Sequence, residues 1–186
     1  MFFSVIIPVF NRPGEAKELL ESLAQQSEKD FEVILIEDGS EYTCEKVAED
    51  FNMKFPVRYL FQENQGQGFA RNNGMKIANG DFFVILDSDV ILPSDYLFLL
   101  KKAISSRRLD AFGGPDAADQ SFTPLQKAMD FAMTSFLTTG GIRGKLKDPA
   151  KFQARGFNMG VSRQVFNKTG GFEIRFQAGL SFRWFL

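Results

Sequence analysis

Four short apolar runs, each followed by a segment with helical spacing, dominate the first half of the chain. The runs are rich in β-branched and aromatic residues and span 4–9, 31–36, 57–61 and 82–86. Strands that alternate with helices predict an α/β domain of the Rossmann-like type, in which helices cover both faces of a mostly parallel sheet. No linker or repeat interrupts the pattern, so we expect a single domain over residues 1–186.

The helical spacing is clearest after the first run, where five apolar residues share one helix face: Ala16, Leu19, Leu20, Leu23 and Ala24. Pro13 is placed to begin this helix, and Ser94 and Asp95 are placed to cap a later one that runs to about residue 106. The other helices are expected near residues 43–51, 66–78, 124–137 and 164–168, and short late strands near 110–114 and 157–161.

The composition excludes several kinds of chemistry. The chain has no His, which excludes a His general base, a His-containing triad and a His metal site. The single Cys44 excludes an internal disulfide and a Cys zinc cluster, and predicts a reducing cytoplasm. The net charge of −1 gives no support for nucleic-acid binding. Acid–base or metal chemistry therefore falls mainly to carboxylates.

Polar residues follow three of the four predicted strands at the point where each strand ends. They occupy residues 8–12, 37–40 and 87–89. In parallel sheets the carboxyl ends of the strands share one edge, and ligands bind there. We therefore expect these residues to meet at one site, which we call the carboxyl rim.

The pair Asp87 and Asp89 is the strongest chemical signal at this rim. Two carboxylates in an Asp-x-Asp pattern suit a hard divalent cation such as Mg²⁺ or Mn²⁺, which also binds phosphate oxygens. Such an ion neutralises the charge that builds on a leaving diphosphate. The alternative is that both acids are solvated loop or cap residues.

Two weaker signals accompany the acid pair. Asp38 is able to accept hydrogen bonds from a nucleobase or ribose, although Asp-Gly-Ser is also a common turn sequence. Gly66 and Gly68 precede Arg71, a spacing that lets backbone and guanidinium approach a phosphate. An ordinary helix N-terminus explains the same glycines equally well.

Together these motifs resemble family 2 glycosyltransferases. Residues 4–12 are similar to the opening strand of that family, and Glu37–Ser40 matches its Asp-Asp-Gly-Ser turn with Glu in first place. Residues 64–74 match its Asn-x-Gly…Ala-Arg-Asn-x-Gly segment, and Asp87–Asp89 matches its metal-binding Asp-x-Asp. A weaker match continues through residues 156–160 and Gly170-Gly171-Phe172.

The resemblance implies a GT-A fold and a nucleotide-diphosphate sugar donor, most simply a UDP-sugar, used with inversion and with Mn²⁺ or Mg²⁺. It implies that Asp38 contacts the uracil or ribose, that Pro8 and Asn11 line the same pocket, and that Arg71 faces the base or diphosphate. Asp89 would bind the metal, and Asp87 with Ser88 would contact the ribose or sugar. A last group would lie near the sugar and acceptor: Gly156, Asn158, Met159 and Gly160.

The chain departs from the family pattern after Gly171. Members of the family usually carry an acidic pair there whose carboxylate is the general base, whereas this chain has only Glu173, at a place where the family often has a non-catalytic acid. The catalytic base is therefore left unassigned. Our hypothesis is that the chain is truncated or frame-shifted after about residue 172, which reading the source DNA would test. A short natural C-terminal strand or helix is the alternative.

Three function classes follow from these observations. The first is a glycosyltransferase acting on a glycan or lipid-linked acceptor, in the cytoplasm or at the inner face of the membrane, as in polysaccharide biosynthesis. The second is a non-catalytic nucleotide-sugar-binding module or inactive remnant. The third is a nucleotidyltransferase, which is disfavoured because its glycine-rich, basic first loop is missing. The 22 Phe residues indicate either a Phe-rich core or a peripheral membrane surface. No residue pattern indicates an oligomeric state.

Overall fold

The computed structural model describes residues 1–114 and 158–173. In this part of the chain, six strands form one sheet: β1 (Phe3–Val9), β2 (Phe31–Asp38), β3 (Val57–Gln62), β4 (Phe82–Leu86), β5 (Ala111–Gly113) and β6 (Asn158–Ser162). The helices of the described residues are α1 (Pro13–Ala24), α2 (Glu45–Asn52), α3 (Gln67–Ile77), α4 (Tyr96–Arg107) and α5 (Arg163–Thr169). The helix predicted near residues 124–137 lies outside the described residues.

The strand order of the sheet is β3-β2-β1-β4-β6-β5. The first four strands are mutually parallel, whereas β6 is antiparallel to both β4 and β5. The predicted α/β fold with a mostly parallel sheet is thus confirmed. The antiparallel direction of β6 departs from the simple parallel pattern, because an apolar run predicts a strand without predicting its direction.

Alternating residues of the strands build two separate apolar layers, as the two-residue period of a strand requires. Val5, Ile7 and Val9 of β1 belong to the layer that packs on α1, α2 and α4. Ile6 belongs to the opposite layer, which includes Met75 of α3 and residues of α5. Because helices cover both faces, β1, β2 and β4 are buried along their whole length.

Many Phe side chains of the described residues lie inside these layers, which supports the core interpretation of the Phe-rich composition for them. The buried ones are Phe3, Phe31, Phe51, Phe55, Phe82, Phe83 and Phe172. Phe10, Phe61 and Phe98 are exposed. Within residues 1–114 and 158–173, every helix falls short of the length and hydropathy that a membrane crossing needs.

The start of α4 differs from the sequence prediction. Asp95 occupies the position before the helix, but its side chain makes no capping hydrogen bond. The backbone N–H of Leu97 instead donates to Oε1 of Gln26, at 3.0 Å, and Gln26 is almost fully buried. A side chain from the segment just after α1 therefore supplies the cap, which local sequence cannot reveal.

A crevice opens between β1 and β4 at the carboxyl end of the sheet. Pairing of β1 with β2 continues to Val9 and Glu37, but pairing of β1 with β4 stops at Ile6 and Ile85. Pro8 has no N–H to offer a ladder in this region. The chain also reverses its order here, since β2 and β3 lie on one side of β1 and β4 lies on the other. Open α/β sheets bind ligands at such a switch point.

Candidate functional site

A cavity of about 280 Å³ lies in this crevice, at the carboxyl ends of β1, β2 and β4. Its lining residues are Pro8, Val9, Phe10, Arg12, Asp38, Gln67, Asp87, Ser88 and Asp89. The volume is near the lower end of the range for small-molecule sites. The predicted meeting of three polar strand ends at one carboxyl rim is therefore confirmed.

Asp38 holds the loop that leads into α3. Its Oδ1 accepts hydrogen bonds from Nε2 of Gln62, at 2.8 Å, and from the backbone N–H of Gln65, at 2.9 Å. Its Oδ2 accepts from the N–H of Gly66, at 2.8 Å. An ionised carboxylate has about four acceptor positions, so Asp38 retains acceptor capacity toward the cavity. These bonds go to residues 62–66 and not to its own Asp-Gly-Ser turn, and a role of Asp38 in binding a base or ribose stays a prediction.

Asp87 is held by a buried arginine. Nη2 of Arg71 lies 2.8 Å from Oδ1 of Asp87, and the arginine side chain is 4% exposed against 32% for Asp87. The same Nη2 donates to Oε1 of Gln67, at 3.1 Å, and the guanidinium lies over the ring of Phe172. Arg71 thus lies behind the cavity and orients Asp87. Direct contact of Arg71 with a base or diphosphate stays a prediction.

Asp89 is paired with a different arginine. Nη1 of Arg12 lies 3.1 Å from Oδ2 of Asp89, and both side chains are about half exposed, at 52% and 55%. Exposed ion pairs of this kind contribute little to stability. The two acids of the Asp-x-Asp pattern therefore differ in environment, because Asp87 is held from the interior and Asp89 is held from the cavity side.

Asn11 shapes the loop that carries Arg12. It adopts a left-handed backbone with φ of 55°, a conformation that Asn tolerates better than most residues. Its Oδ1 accepts hydrogen bonds from the N–H groups of Glu41, at 2.8 Å, and Tyr42, at 3.1 Å. Its own N–H donates to Oγ of Ser40, at 2.7 Å. Asn11 therefore joins the loop after β1 to the turn after β2 and is absent from the cavity lining.

Glu37 supports this turn from the interior. It is fully buried, and its carboxylate accepts hydrogen bonds from Oγ of Ser40 and from the N–H of Cys44, the latter at 2.6 Å. Burial, followed by the charge of Glu37, raises the pKa of the Cys44 thiol to about 12. The same two causes raise the pKa of Tyr59 to about 12. The Glu that replaces the Asp of the family turn is thus part of a buried polar network.

The predicted sugar and acceptor residues of β6 fall into two groups. Asn158 is paired with Leu86, the last residue before Asp87, and its Oδ1 accepts a hydrogen bond from the hydroxyl of Tyr96, at 2.7 Å. Met159 and Gly160 lie buried in the sheet. A Cβ at Gly160 would approach the ring of Phe112 to 2.3 Å, so this glycine permits close packing. Gly156 lies outside the described residues.

Arg12 lies in the segment 8–12 that was expected at the carboxyl rim, although no role was assigned to it, and it lines the cavity. Sequence reasoning misses Gln67, the first residue of α3, which also lines the cavity; its place at the start of the helix is the signal that points to it. A third residue, Asn72, links α3 to the end of the described chain. It exchanges two hydrogen bonds with the backbone of Phe172, at 2.9 Å and 2.8 Å.

The acidic groups of the cavity suit a divalent metal ion whose coordination is completed by phosphate oxygens of a ligand. Within residues 1–114 and 158–173, the charged side chains that line the cavity are Asp38, Asp87, Asp89 and Arg12. Among the described residues, no three His, Cys, Asp or Glu side chains are grouped closely enough to hold a metal ion alone. Mg²⁺ and Mn²⁺ sites commonly use one or two carboxylates and complete their shell with phosphate oxygens and water. Asp87 and Asp89 fit that donor set.

Comparison with known proteins gives a consistent family match. The family model described as Glycosyl transferase family 2 matches residues 4–170. The glycosyltransferase GlyG of Streptococcus pneumoniae is 27% identical over 189 residues, which covers 96% of this chain and 61% of GlyG. The chain thus spans less than two thirds of this relative.

Solved structures agree with the architecture. The structure of S. aureus TarS 1–349 in complex with UDP has a TM-score of 0.60 and 29% sequence identity, and the match covers 67% of this chain and 38% of TarS 1–349. The mannosyltransferase PcManGT of Pyrobaculum calidifontis, in complex with GDP-Man and Mn²⁺, has a TM-score of 0.68 at 18% identity, covering 95% and 49%. The predicted GT-A fold is confirmed.

Proposed function

The chain belongs to glycosyl transferase family 2, and we propose that it transfers a sugar from a nucleotide-diphosphate donor, in the first instance a UDP-sugar. The family match and the glycosyltransferase relatives support the transferase class. The choice of UDP is supported by the likeness to the UDP complex of TarS 1–349. Inversion at the sugar carbon is carried over from the family resemblance.

The observation that carries the proposal is the cavity at the switch point of the sheet. It lies where the β1–β4 pairing ends, and the residues that the structure describes contribute three carboxylates and one arginine to its lining. A diphosphate carries negative charge, so it is repelled by bare carboxylates unless a cation intervenes. The lining therefore favours binding of a nucleoside diphosphate together with a divalent metal.

Six residues at or behind the carboxyl rim have roles in this proposal. Asp89, with Asp87, would hold Mg²⁺ or Mn²⁺, which supplies Lewis-acid stabilisation of the leaving diphosphate when bound. Asp38 uses its remaining acceptor position for the base or ribose, and Pro8 forms the wall beside it. Arg71 keeps the Asp87 carboxylate oriented from the interior. Ser88, which is buried at the rim, places a short polar group between the two acids.

Release of UDP from a panel of UDP-sugars, measured with Mn²⁺ and with EDTA, tests the proposal. Asp89→Asn should reduce release at least about tenfold, because even partners of metal ligands contribute that much. Asp95→Asn is the matched control, since Asp95 is exposed and makes no capping bond. UDP release that is unchanged by EDTA and by Asp89→Asn would overturn the proposed role of the metal. UDP binding without any release would favour a binding module.

The acceptor is proposed to be a glycan or a lipid-linked saccharide in the cytoplasm or at the inner face of the membrane. Exposed apolar residues next to the rim, Phe10 and Ile91, are compatible with such a surface. Co-sedimentation with anionic vesicles tests this part. Pelleting that decreases in Phe10→Ser would support membrane contact, and a protein that stays in the supernatant would remove it.

A further inference from the structure

In the Arg12–Asp89 ion pair, the guanidinium of Arg12 occupies the carboxylate that is proposed to bind the metal. The two residues are separated by 77 positions in sequence and meet at 3.1 Å across the cavity. Both line the cavity, and both are about half exposed. The pair is therefore accessible to solutes and weak enough to be exchanged.

The position of Arg12 is set by its backbone. Asn11, just before it, is held in a left-handed conformation by three hydrogen bonds to residues 40–42. Pro13, just after it, begins α1. With both neighbours restricted, the Arg12 side chain starts from a defined point on the rim, while its half-exposed guanidinium is held by the ion pair with Asp89.

We propose that Arg12 is a positioning residue that neutralises Asp89 before a divalent cation binds and then moves to the phosphates of the donor. This inference rests on the proposed function. A guanidinium and a divalent cation repel each other, so they compete for the Asp89 carboxylate. Once displaced, Arg12 is still the cationic side chain that the described part of the chain contributes to the lining, and its planar fork of N–H donors matches phosphate oxygens.

Replacing Arg12 should change the affinities for Mn²⁺ and for UDP in opposite directions. Arg12→Gln removes the competitor, so the affinity for Mn²⁺ alone should rise roughly 1.5- to 5-fold, in keeping with the weakness of exposed ion pairs. The same variant lacks the cation for the phosphates, so UDP affinity at saturating Mn²⁺ should fall roughly 2- to 10-fold. Local loss of structure would instead weaken both affinities.

Matched variants show whether the effects depend on the charge of Arg12 and on its partner Asp89. Lys17→Gln removes one positive charge from α1 at a side chain that pairs with Glu21 and lies away from the cavity lining, so both affinities should stay at the wild-type values. Arg12→Lys keeps the charge and should leave Mn²⁺ affinity near wild type. In the Asp89→Asn background, Arg12→Gln should no longer raise the Mn²⁺ affinity, which is a double-mutant cycle.

The test titrates Mn²⁺ into each variant with detection of free Mn²⁺ by electron paramagnetic resonance, then titrates UDP by calorimetry. A gain for Mn²⁺ together with a loss for UDP in Arg12→Gln supports the inference. Mn²⁺ binding that is unchanged or weaker in Arg12→Gln overturns it and leaves the proposed metal site standing. Absence of Mn²⁺ binding in wild type and Arg12→Gln, with and without UDP, overturns the metal site itself.

Discussion

Glu37→Gln tests whether the buried carboxylate behind the rim organises the turn that supports Asn11 and Arg12. The carboxylate places one oxygen toward the hydroxyl of Ser40 and the other toward the N–H of Cys44. A glutamine amide has one oxygen, so it satisfies one of these donors and turns an NH₂ group toward the other. The substitution therefore breaks a hydrogen bond at a fully buried position while changing the side-chain volume little.

The expected loss of stability follows from the one hydrogen-bond donor that is left without an acceptor. One buried donor without its acceptor costs about 1–3 kcal/mol of unfolding free energy. For a chain of this size each kcal/mol lowers Tm by about 2–4 °C, so Tm should fall by about 2–12 °C. The substitution also removes the charge that acts with burial to raise the pKa of Cys44. The thiol pKa should therefore fall relative to wild type, and thiol alkylation at high pH should become faster.

Chemical denaturation and alkylation of Cys44 measure the two effects. Glu41→Gln is the matched control, because Glu41 is exposed on the same turn and should change stability by less than about 0.5 kcal/mol. Equal unfolding free energies for the two variants, with equal alkylation rates, would refute the view that Glu37 organises the turn.

Two further predictions concern the packing of α3 on the sheet and the ionisation of Cys44 and Tyr59. Gly74→Ala should lower the unfolding free energy measured in urea by about 1–3 kcal/mol, because its Cβ would lie 2.6 Å from a core isoleucine methyl. Gly14→Ala has open space around it and should be neutral or stabilising. Equal urea midpoints for the two variants would contradict this prediction. Alkaline stability should depend on Cys44 and Tyr59, whose pKa values rise from 9.0 and 10.0 to about 12 on folding. The unfolded chain loses these protons at a lower pH than the folded chain. The contribution of the two groups to the unfolding free energy should therefore be complete below pH 9 and decrease as the pH rises through about 12. Cys44→Ala should make this fall shallower, and an unchanged slope would contradict the shift.

The carboxyl rim was predictable because each of its parts has a local signal. Apolar runs end at Val9, Ile36 and Leu86, and a parallel sheet necessarily brings such ends to one edge. The same logic does not give direction, so the strand predicted near residues 157–161 carried no indication that it would be antiparallel, as β6 is. Nor does it give depth in the fold, and Arg71 proved to be buried behind Asp87 instead of open to the cavity.

Contacts between distant segments account for the remaining differences. Gln26 caps α4 from the segment just after α1, so the local Ser94-Asp95 pattern is not used. Arg12 meets Asp89 across 77 positions, and no short motif encodes that pair. Gly160 matches a family motif near the acceptor, yet its immediate role in this structure is close packing against Phe112. Such roles depend on which elements become neighbours, and hydrophobic periodicity leaves that choice open.

Calorimetric titration of UDP into the protein, with Mn²⁺ and then with EDTA, shows whether the carboxyl rim holds a metal for a nucleoside diphosphate. We expect saturable UDP binding with Mn²⁺ that is lost in EDTA and in Asp89→Asn and is retained in Asp95→Asn. A folded protein that binds no UDP with Mn²⁺, or binds it equally in EDTA, would contradict the claim that the acids of the carboxyl rim hold a metal for a nucleoside diphosphate.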